Sequence, residues 1–580
     1  MAHHSLSIFF LLLAILQIST AVPTHDHVKI LQARRKPNLS PPYPFKFQFP
    51  LPIPPLKQPK AIFTNNRTGG PINYYEIEIK PFNHSIYPNL PPTPMVGYDG
   101  ISPGPTIMLP RGTESVIRFV NNSPSNSSIH LHGSYSRAPW DGWAEDMTSP
   151  GQYKDYFFPN RQSARMMWYH DHAMHITAEN AYMGQAGVYL LTDPAEEALN
   201  LPSGYGTYDI PLVLTSKQYN SNGTLYSTHN ENLSLWGDII HVNGQPWPFH
   251  SVQPRKYRFR FLNAAVSRSF GLYFVKTTAT NDKLPFKAIA SDSGLLSHPV
   301  QISDISISMA ERYEIVFDFS GMQGQTIELR NFYKAGGAGT EDDYMDTHQV
   351  MQFKVSSLPL NTPNNSSVPN SLRTVPFPTS TNDKISQKFK FRFTKGKWLI
   401  NGVGFADAAN RILANVPKGT VQIWELENMS DSWSHPIHVH LVDFKIISRR
   451  KGARGIMSYE KAGLKDVVWL GKYEKVLVEA HFAPWDGVYM FHCHNLIHED
   501  SDMMAAFNVT ETLSGLGYQE KKKFDFGFDD PMENRWRAKE FVMEEYINGK
   551  GKFGIEQVER VVKGFVRANP YGDVYNITPP

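Results

Sequence analysis

The chain has 580 residues, 41% hydrophobic and 19% charged, with 43 Pro, 40 Gly and a formal net charge of +3. That is too apolar for a disordered chain and too irregular for collagen or a coiled coil. The nearly balanced charge, without a long basic run, gives no basis for a nucleic-acid partner. One Cys, Cys493, stands against 22 His.

The N-terminus addresses the compartment first. Ile8–Leu16 is an unbroken apolar run followed by Ser19-Thr20-Ala21, a small-x-small pattern. Together they predict a secretory signal peptide over 1–21, although Met1–Ser5 lacks the usual Lys or Arg. No later stretch is apolar enough to anchor the chain, so a secreted, extracellular protein is expected, with no membrane contact after cleavage. Arg34-Arg35 before Lys36-Pro37 marks a candidate propeptide over 22–36, with an ordinary basic turn as the alternative. Sequons at Asn38, Asn66, Asn83, Asn121, Asn126, Asn222, Asn232, Asn364, Asn365, Asn428, Asn508 and Asn576 fit the same route, not all of them necessarily used. A secreted chain normally pairs its Cys. A single Cys is either a bystander or does chemistry.

The body alternates in short segments such as Ser115–Asn121, Lys256–Asn263 and Thr420–Glu427, separated by Gly, Pro and Asn turns. That is the pattern of β-sandwiches. Three stretches resemble one another: a turn, a Pro-basic corner at Pro110-Arg111, Pro254-Arg255 and Pro417-Lys418, then a strand ending at Asn121, Asn263 and Asn428. The corners lie 144 and 163 residues apart, which predicts three copies of one sandwich, over 37–200, 201–365 and 366–510. Linkers are expected near Asp193–Ser203 and Ser356–Ser380. Beyond them, 511–580 is predicted as a C-terminal helical wrap, with helix-period patterns at Glu533–Ile547 and Ile555–Val566.

The copies differ in the residues after the Asn. The first runs into His130-Leu131-His132 and the third into His435-Pro436-Ile437-His438, whereas the second has Ala264-Ala265-Val266-Ser267. Two more clusters complete the set: His170-Asp171-His172, and His492-Cys493-His494 with His498 and Met503. In a strand, residues i and i+2 share a face, so each His-x-His presents two imidazoles side by side. One such pair is weak evidence, since chance and solvated surface explain most; four pairs point to a metal cluster. Cys493, His498, Met503 and a histidine such as His435 form the ligand set of a blue-copper electron-transfer site, where zinc has no use for a weak thioether. His492 and His494 face away from Cys493, so one strand can touch two metal centres. The remaining His130, His132, His170, His172, His438, His440, His492 and His494 suit three coppers open to dioxygen.

At these motifs the sequence resembles the three-domain multicopper oxidases, and within them the fungal bilirubin oxidases. The likeness runs over nearly the whole chain beyond the N-terminus. It is carried by the ligand motifs, by Asp141-Gly-Trp-Ala-Glu-Asp146, Pro159-Asn-Arg-Gln-Ser-Ala164, Trp168–Gln185 and Ser291-Asp-Ser-Gly-Leu295, and by Phe491–Met504. The resemblance implies an all-β fold of three cupredoxin-like Greek-key sandwiches with a short C-terminal helical extension, and four coppers per chain. Type 2 copper would take His130 and His438. The type 3 pair would take His132, His170, His172, His440, His492 and His494, and type 1 copper His435, Cys493, His498 and Met503. The implied activity is one-electron oxidation of bilirubin to biliverdin, and of phenols or aromatic amines, coupled to four-electron reduction of O2 to water by a monomer. Asp141 and Glu499 are expected to relay protons, or else to orient ligand histidines. Trp433 is expected to stack on an aromatic or tetrapyrrole donor or pass an electron inward, a packed loop Trp being the alternative. Asn495 is a candidate for tuning the thiolate. Asp171 is read as structural, His175 as a residue behind the ligands or at the surface. His84, His229, His241, His250, His298, His348 and His481 have no partner spacing and no assigned role. The rivals are a laccase-like phenol oxidase, a metal-ion oxidase for Fe(II) or Cu(I), and a copper-binding structural protein on an inactive scaffold.

Overall fold

The computed structural model describes residues 35–332, 341–358, 366–381, 383–510 and 527–572. The expected signal peptide, and all but the last residues of the expected propeptide, lie outside them. Among the described residues the architecture is three sandwiches built from six sheets. The first pairs a sheet centred on Pro71–His84, Glu114–Asn121 and Gln152–Phe158 with one holding Ile129–His132 and Met166–Asp171. The second has sheets around Lys256–Asn263 and Phe270–Lys276, and the third around Val421–Asn428 and Gly487–Cys493. The first and third sandwiches share one continuous apolar core, and the middle one has its own. The two copies that carry the histidine pairs are thus packed directly on each other.

The repeat read from the sequence has a structural cause. Each repeat strand pairs in parallel with an earlier one, and its terminal Asn stands opposite Ile79, Leu214 and Phe391 in turn. Each Asn then clamps the loop after it. Asn121 Nδ2 donates to the Ser125 and Thr148 carbonyls, and its Oδ1 accepts from the Ser123 N–H. Asn263 does the same with Arg268, Ile307 and Ala265, and Asn428 with Trp433, Gly471 and Ser430. An Asn side chain supplies two donors and an acceptor in one plane, which is what closing such a loop needs.

Packing departs from simple periodicity in two places. In Lys256–Asn263 the charged residues Arg258 and Arg260 are both buried. Arg260 grips both oxygens of Asp209 at 2.7 Å, and Arg258 bonds Glu314 and Glu196. At the C-terminus, Ile555–Ala568 is a helix burying Val558, Val562 and Phe565. Glu533–Ile547 is not a continuous helix. It forms a 3-10 turn at Asn534–Trp536, a two-residue strand pairing Lys539 with Tyr153, and a short helix Met543–Ile547. The cause is tertiary: Trp536 packs on Trp140 and Phe565, and the next residues satisfy the open edge of the first sandwich instead of their own helix.

Candidate metal centre

The site is organised by one antiparallel strand pair. His435–Val439 lies beside Gly487–Cys493, with Ile437 opposite Cys493 and His438 opposite His492. Strand alternation puts His435 and Cys493 on one face, and His438 and His440 with His492 and His494 on the other. A second pair in the first sandwich sets His130 opposite His170 and His132 opposite Trp168.

On the first face, Cys493 Sγ lies 3.5 Å from His435 Nδ1 and 3.6 Å from His498 Nδ1, and the two nitrogens are 3.1 Å apart. His498 is placed by the short helix Leu496–Asp500. Met503 is fully buried, its N–H donating to the His498 carbonyl and its carbonyl accepting from the Cys493 N–H. Burial pushes the His435 imidazole down to about 3 and the Cys493 thiol well up, the Asn495 N–H opposing the latter. Three soft and borderline donors thus converge in a dry pocket whose polar atoms a bound cation would satisfy. The Asn495 side chain itself does not reach the thiol: it donates to Ser234 Oγ and accepts from Ser267 Oγ, both at 2.9 Å.

Aromatic rings cover this set. Trp398 stacks on His498 at 3.9 Å between centroids, and Trp433 meets His498 edge-on at 6.0 Å. Trp236, from the middle sandwich, lies parallel to Trp433 at 5.8 Å, and both rings of this pair are partly exposed. Trp398 and Trp236 carry no signal in the motif spacing; only the tertiary fold brings them here.

On the second face, eight imidazoles converge. Nε2 of His130 is 3.4 Å from Nε2 of His438, and Nε2 of His492 is 3.1 Å from that of His172 and 3.2 Å from that of His440. Overlapping metal-competent groups are His130/His438/His440, His130/His132/His170 and His172/His440/His492. His494 closes the set, its ring 5.2 Å from those of both His132 and His170. The outer nitrogens are tied: His130 Nδ1 to the Asp141 carbonyl, His438 Nδ1 to the Asp466 carbonyl, His170 Nδ1 to the Asp171 carbonyl and His440 Nδ1 to Asp141 Oδ2. Those bonds fix the proton on Nδ1 and turn the Nε2 lone pair inward. His132 Nδ1, His170 Nε2, His172 Nδ1 and His494 Nε2 are buried without a hydrogen-bond partner. Burial first, then neighbouring imidazoles, holds His130, His132, His438, His440 and His494 well below the ordinary value, which favours the neutral imidazole that metal binding needs.

Both carboxyls expected from the sequence approach the cluster. Asp141 Oδ2 is 2.8 Å from His440 Nδ1, its Oδ1 has no hydrogen-bond partner and lies 3.6 Å from His130 Nδ1, and burial pushes its pKa well up. Glu499 Oε2 is 2.9 Å from His492 Nδ1, and Oε1 is 3.7 Å from His172 Nε2. Burial pushes Glu499 up, but His492 and His172 outweigh it and hold the carboxyl at about 2. Asp171 faces away, accepting from Ser127 Oγ and the N–H groups of Ser128 and Ala173. His175 is exposed, bonded to the Asp500 carbonyl. Sequence reasoning passed over Asp466, whose Oδ1 lies 3.1 Å from His132 Nε2. No histidine spacing marks it; it is placed by Val467–Leu470 pairing across His435–Val439. A narrow cavity lined by Gly133, Tyr135 and Asp443 reaches His130, His438 and His440.

Comparison with known proteins agrees with this geometry. Family models described as multicopper oxidase match residues 83–196 and 374–512, the two stretches that hold the ligand-type residues. The chain is 60% identical over 541 residues to a bilirubin oxidase of Albifimbria verrucaria, covering 93% of each. It is 33% identical over 503 residues to a laccase of Bacillus subtilis (strain 168), covering 76% of this chain and 94% of the relative. Among solved structures, the McoA multicopper oxidase of Aquifex aeolicus superposes with a TM-score of 0.70 at 28% identity, covering 79% of this chain and 99% of that one.

Proposed function

Because the chain belongs to the multicopper oxidase family and is a copper oxidoreductase, we propose that it oxidises bilirubin to biliverdin, and phenols or aromatic amines, at the expense of O2. The observation that carries this reading is the parity of one strand: Cys493 faces one donor set while its covalent neighbours His492 and His494 face the other. That arrangement serves transfer of electrons between two centres. Four coppers per chain fit the donor count. His435, Cys493, His498 and Met503 would hold type 1, His130 and His438 type 2, and His132, His170, His172, His440, His492 and His494 the type 3 pair. Bound there, copper supplies one-electron oxidation of the donor and four-electron reduction of dioxygen to water.

The remaining work falls to the chain. Trp398 fixes the His498 ring by stacking, and the partly exposed Trp236–Trp433 pair offers a flat apolar face to an aromatic or tetrapyrrole donor. The bonds from Cys493 to His492 and His494 are the shortest covalent link between the two donor sets. Asp141 and Glu499 stand at the outer nitrogens of His440 and His492, where a carboxyl can hold or pass a proton without entering the donor set. We read the protein as a secreted monomer; among the described residues no helix is long and apolar enough to cross a membrane.

Oxygen uptake by the copper-loaded protein tests the proposal, with bilirubin and a simple phenol compared at equal concentration and peroxide assayed alongside. One O2 consumed per four electrons, no peroxide and faster uptake with bilirubin is the expected result. Turnover of the phenol alone moves the reading to a laccase, and no uptake with either donor at full copper overturns it.

A further inference from the structure

The middle sandwich has no histidine pair, yet it reaches the cluster. Arg312 lies on its strand Arg312–Asp318, fully buried, and every one of its five N–H groups is used. Nε donates to the Met166 carbonyl, Nη1 to the Ala310 carbonyl and Asp466 Oδ1, and Nη2 to the Asp292 carbonyl and Asp466 Oδ2. Both contacts to Asp466 are 2.6 Å, a two-pronged grip on a carboxylate from the third sandwich. Asp466 Oδ1 in turn meets His132 Nε2 at 3.1 Å, in the first sandwich. All three sandwiches meet in this one chain of contacts.

Its consequence is a choice of nitrogen. His130, His438 and His440 are tied through Nδ1 and turn Nε2 inward. His132 is tied through Nε2, so its proton sits there and its buried, unpartnered Nδ1 carries the lone pair. We propose that Asp466, held by Arg312, is a positioning residue that sets the tautomer and orientation of His132, and that the ligand-free middle sandwich thereby shapes the oxygen-reducing site. Asp466 meets a second ligand-type residue as well, since its backbone carbonyl accepts a hydrogen bond from His438 Nδ1 at 2.8 Å, and the His132 and His438 rings stack at 3.7 Å. The residue after His132 is shaped for the approach: Gly133 has φ +90°, and a Cβ there would stand 2.8 Å from Arg312 Nη2.

The inference rests on the reading of the eight histidines as a copper cluster, and the test separates the two. Copper per chain, the EPR spectrum of the cluster and the blue absorption of the Cys493 set are measured in wild type, Asp466→Asn, Arg312→Lys and Lys465→Met. Lys465 is the control: it bridges Asp292 and Glu311 at 2.9 Å in the same buried ion network without bonding the Asp466 carboxylate or His132. Lys cannot reproduce a two-pronged grip, and loss of a group that orients a metal-ligating His weakens metal affinity by about 10- to 100-fold. The expected result is that loss in cluster copper against a chelator, with an altered cluster EPR spectrum and unchanged blue absorption, in Asp466→Asn and Arg312→Lys but not in Lys465→Met. If Asp466→Asn does not fold, Arg312→Lys decides by the same readouts. Wild-type spectra and affinity in the Arg312 and Asp466 variants overturn the inference, as does an equal change in Lys465→Met. A wild type that binds copper only at the Cys493 set sinks the cluster reading, and this inference with it.

Discussion

Replacing Asn428 by Ala removes three hydrogen bonds from the loop that carries Trp433 and leads into His435. The Gly471 carbonyl is left buried without its 2.9 Å donor, and the Trp433 carbonyl and Ser430 N–H, bonded at 2.6 and 2.8 Å, are left partly covered. A stranded buried group costs about 1–3 kcal/mol and a lost bond at a partly wet site about 0.5–1.5, so the expected destabilisation is about 3 kcal/mol. For a unit of roughly 150–250 residues that lowers its thermal midpoint by about 6–12 °C. Asn263→Ala strands three buried partners and should cost more. Calorimetry reads the stability, and blue absorption per bound copper reads the Cys493 set. Asn428→Ala should shift both, because the loosened loop holds His435; Asn121→Ala, whose loop lies in the first sandwich, should lower stability and leave the blue band alone. An Asn428→Ala protein that melts within about a degree of wild type refutes the clamp. Equal disturbance of the blue band by Asn121→Ala refutes the link from loop to ligand.

Lys217 is buried with its ammonium over the Tyr182 ring, bonded to the Tyr182 carbonyl, and burial pushes its pKa down to about 7. The unfolded chain therefore binds one more proton between about pH 7 and the ordinary lysine value near 10.4, and stability should rise with pH across that window. Lys217→Met should flatten that rise in a series of thermal melts, and parallel profiles for the two proteins would argue against it. Asn121 and Asn428 stand in sequons but are 0% and 1% exposed, with their Nδ2 atoms engaged; glycopeptide mapping should find both bare, and a glycan on either contradicts the loop geometry. Trp398→Leu opens space beside His498 and should cost about 3 kcal/mol or more, broadening the blue absorption; an unaltered band means that the stack does not hold the imidazole.

The ligand-type residues were legible because strand geometry has a period of two. His130 and His132, or His492 and His494, need no tertiary information to be seen as sharing a face, and Cys493 between them must look the other way. The three-sandwich plan was legible through the corners at Pro110, Pro254 and Pro417, and the asparagines that end the repeat proved to be its loop clamps. What escaped has a common cause, which is contact across long sequence distance. Arg312 meets Asp466 from 154 residues away and Asp466 meets His132 from 334. Trp398 reaches His498 through a hairpin of the third sandwich, and Trp236 reaches Trp433 from the second. Glu533–Ile547 misled for the same reason: its helical period is real, but Trp140 and the sheet edge at Tyr153 compete for the chain and win.

The middle sandwich makes sense on these terms. It keeps the asparagine clamp at Asn263, yet the loop after it, Ala264–Ser269, carries no ligand-type side chain. Instead the Val266 carbonyl accepts the Leu496 N–H, and Ser267 Oγ donates to Asn495 Oδ1, holding the segment that joins Cys493 to His498. Ser234, also in this sandwich, accepts from Asn495 Nδ2. At the same end of the strand Lys256–Asn263, opposite Leu262, Arg312 grips Asp466 behind His132. A sandwich relieved of binding metal can thus brace both donor sets from outside, one through a loop and the other through a buried guanidinium. Backbone bonds at Leu496 constrain where His498 can move, while the charged grip at Asp466 constrains which nitrogen His132 presents. Shifts of a few tenths of an ångström between donors matter to both tasks, and three mutually packed sandwiches hold them more firmly than the two histidine-bearing ones alone.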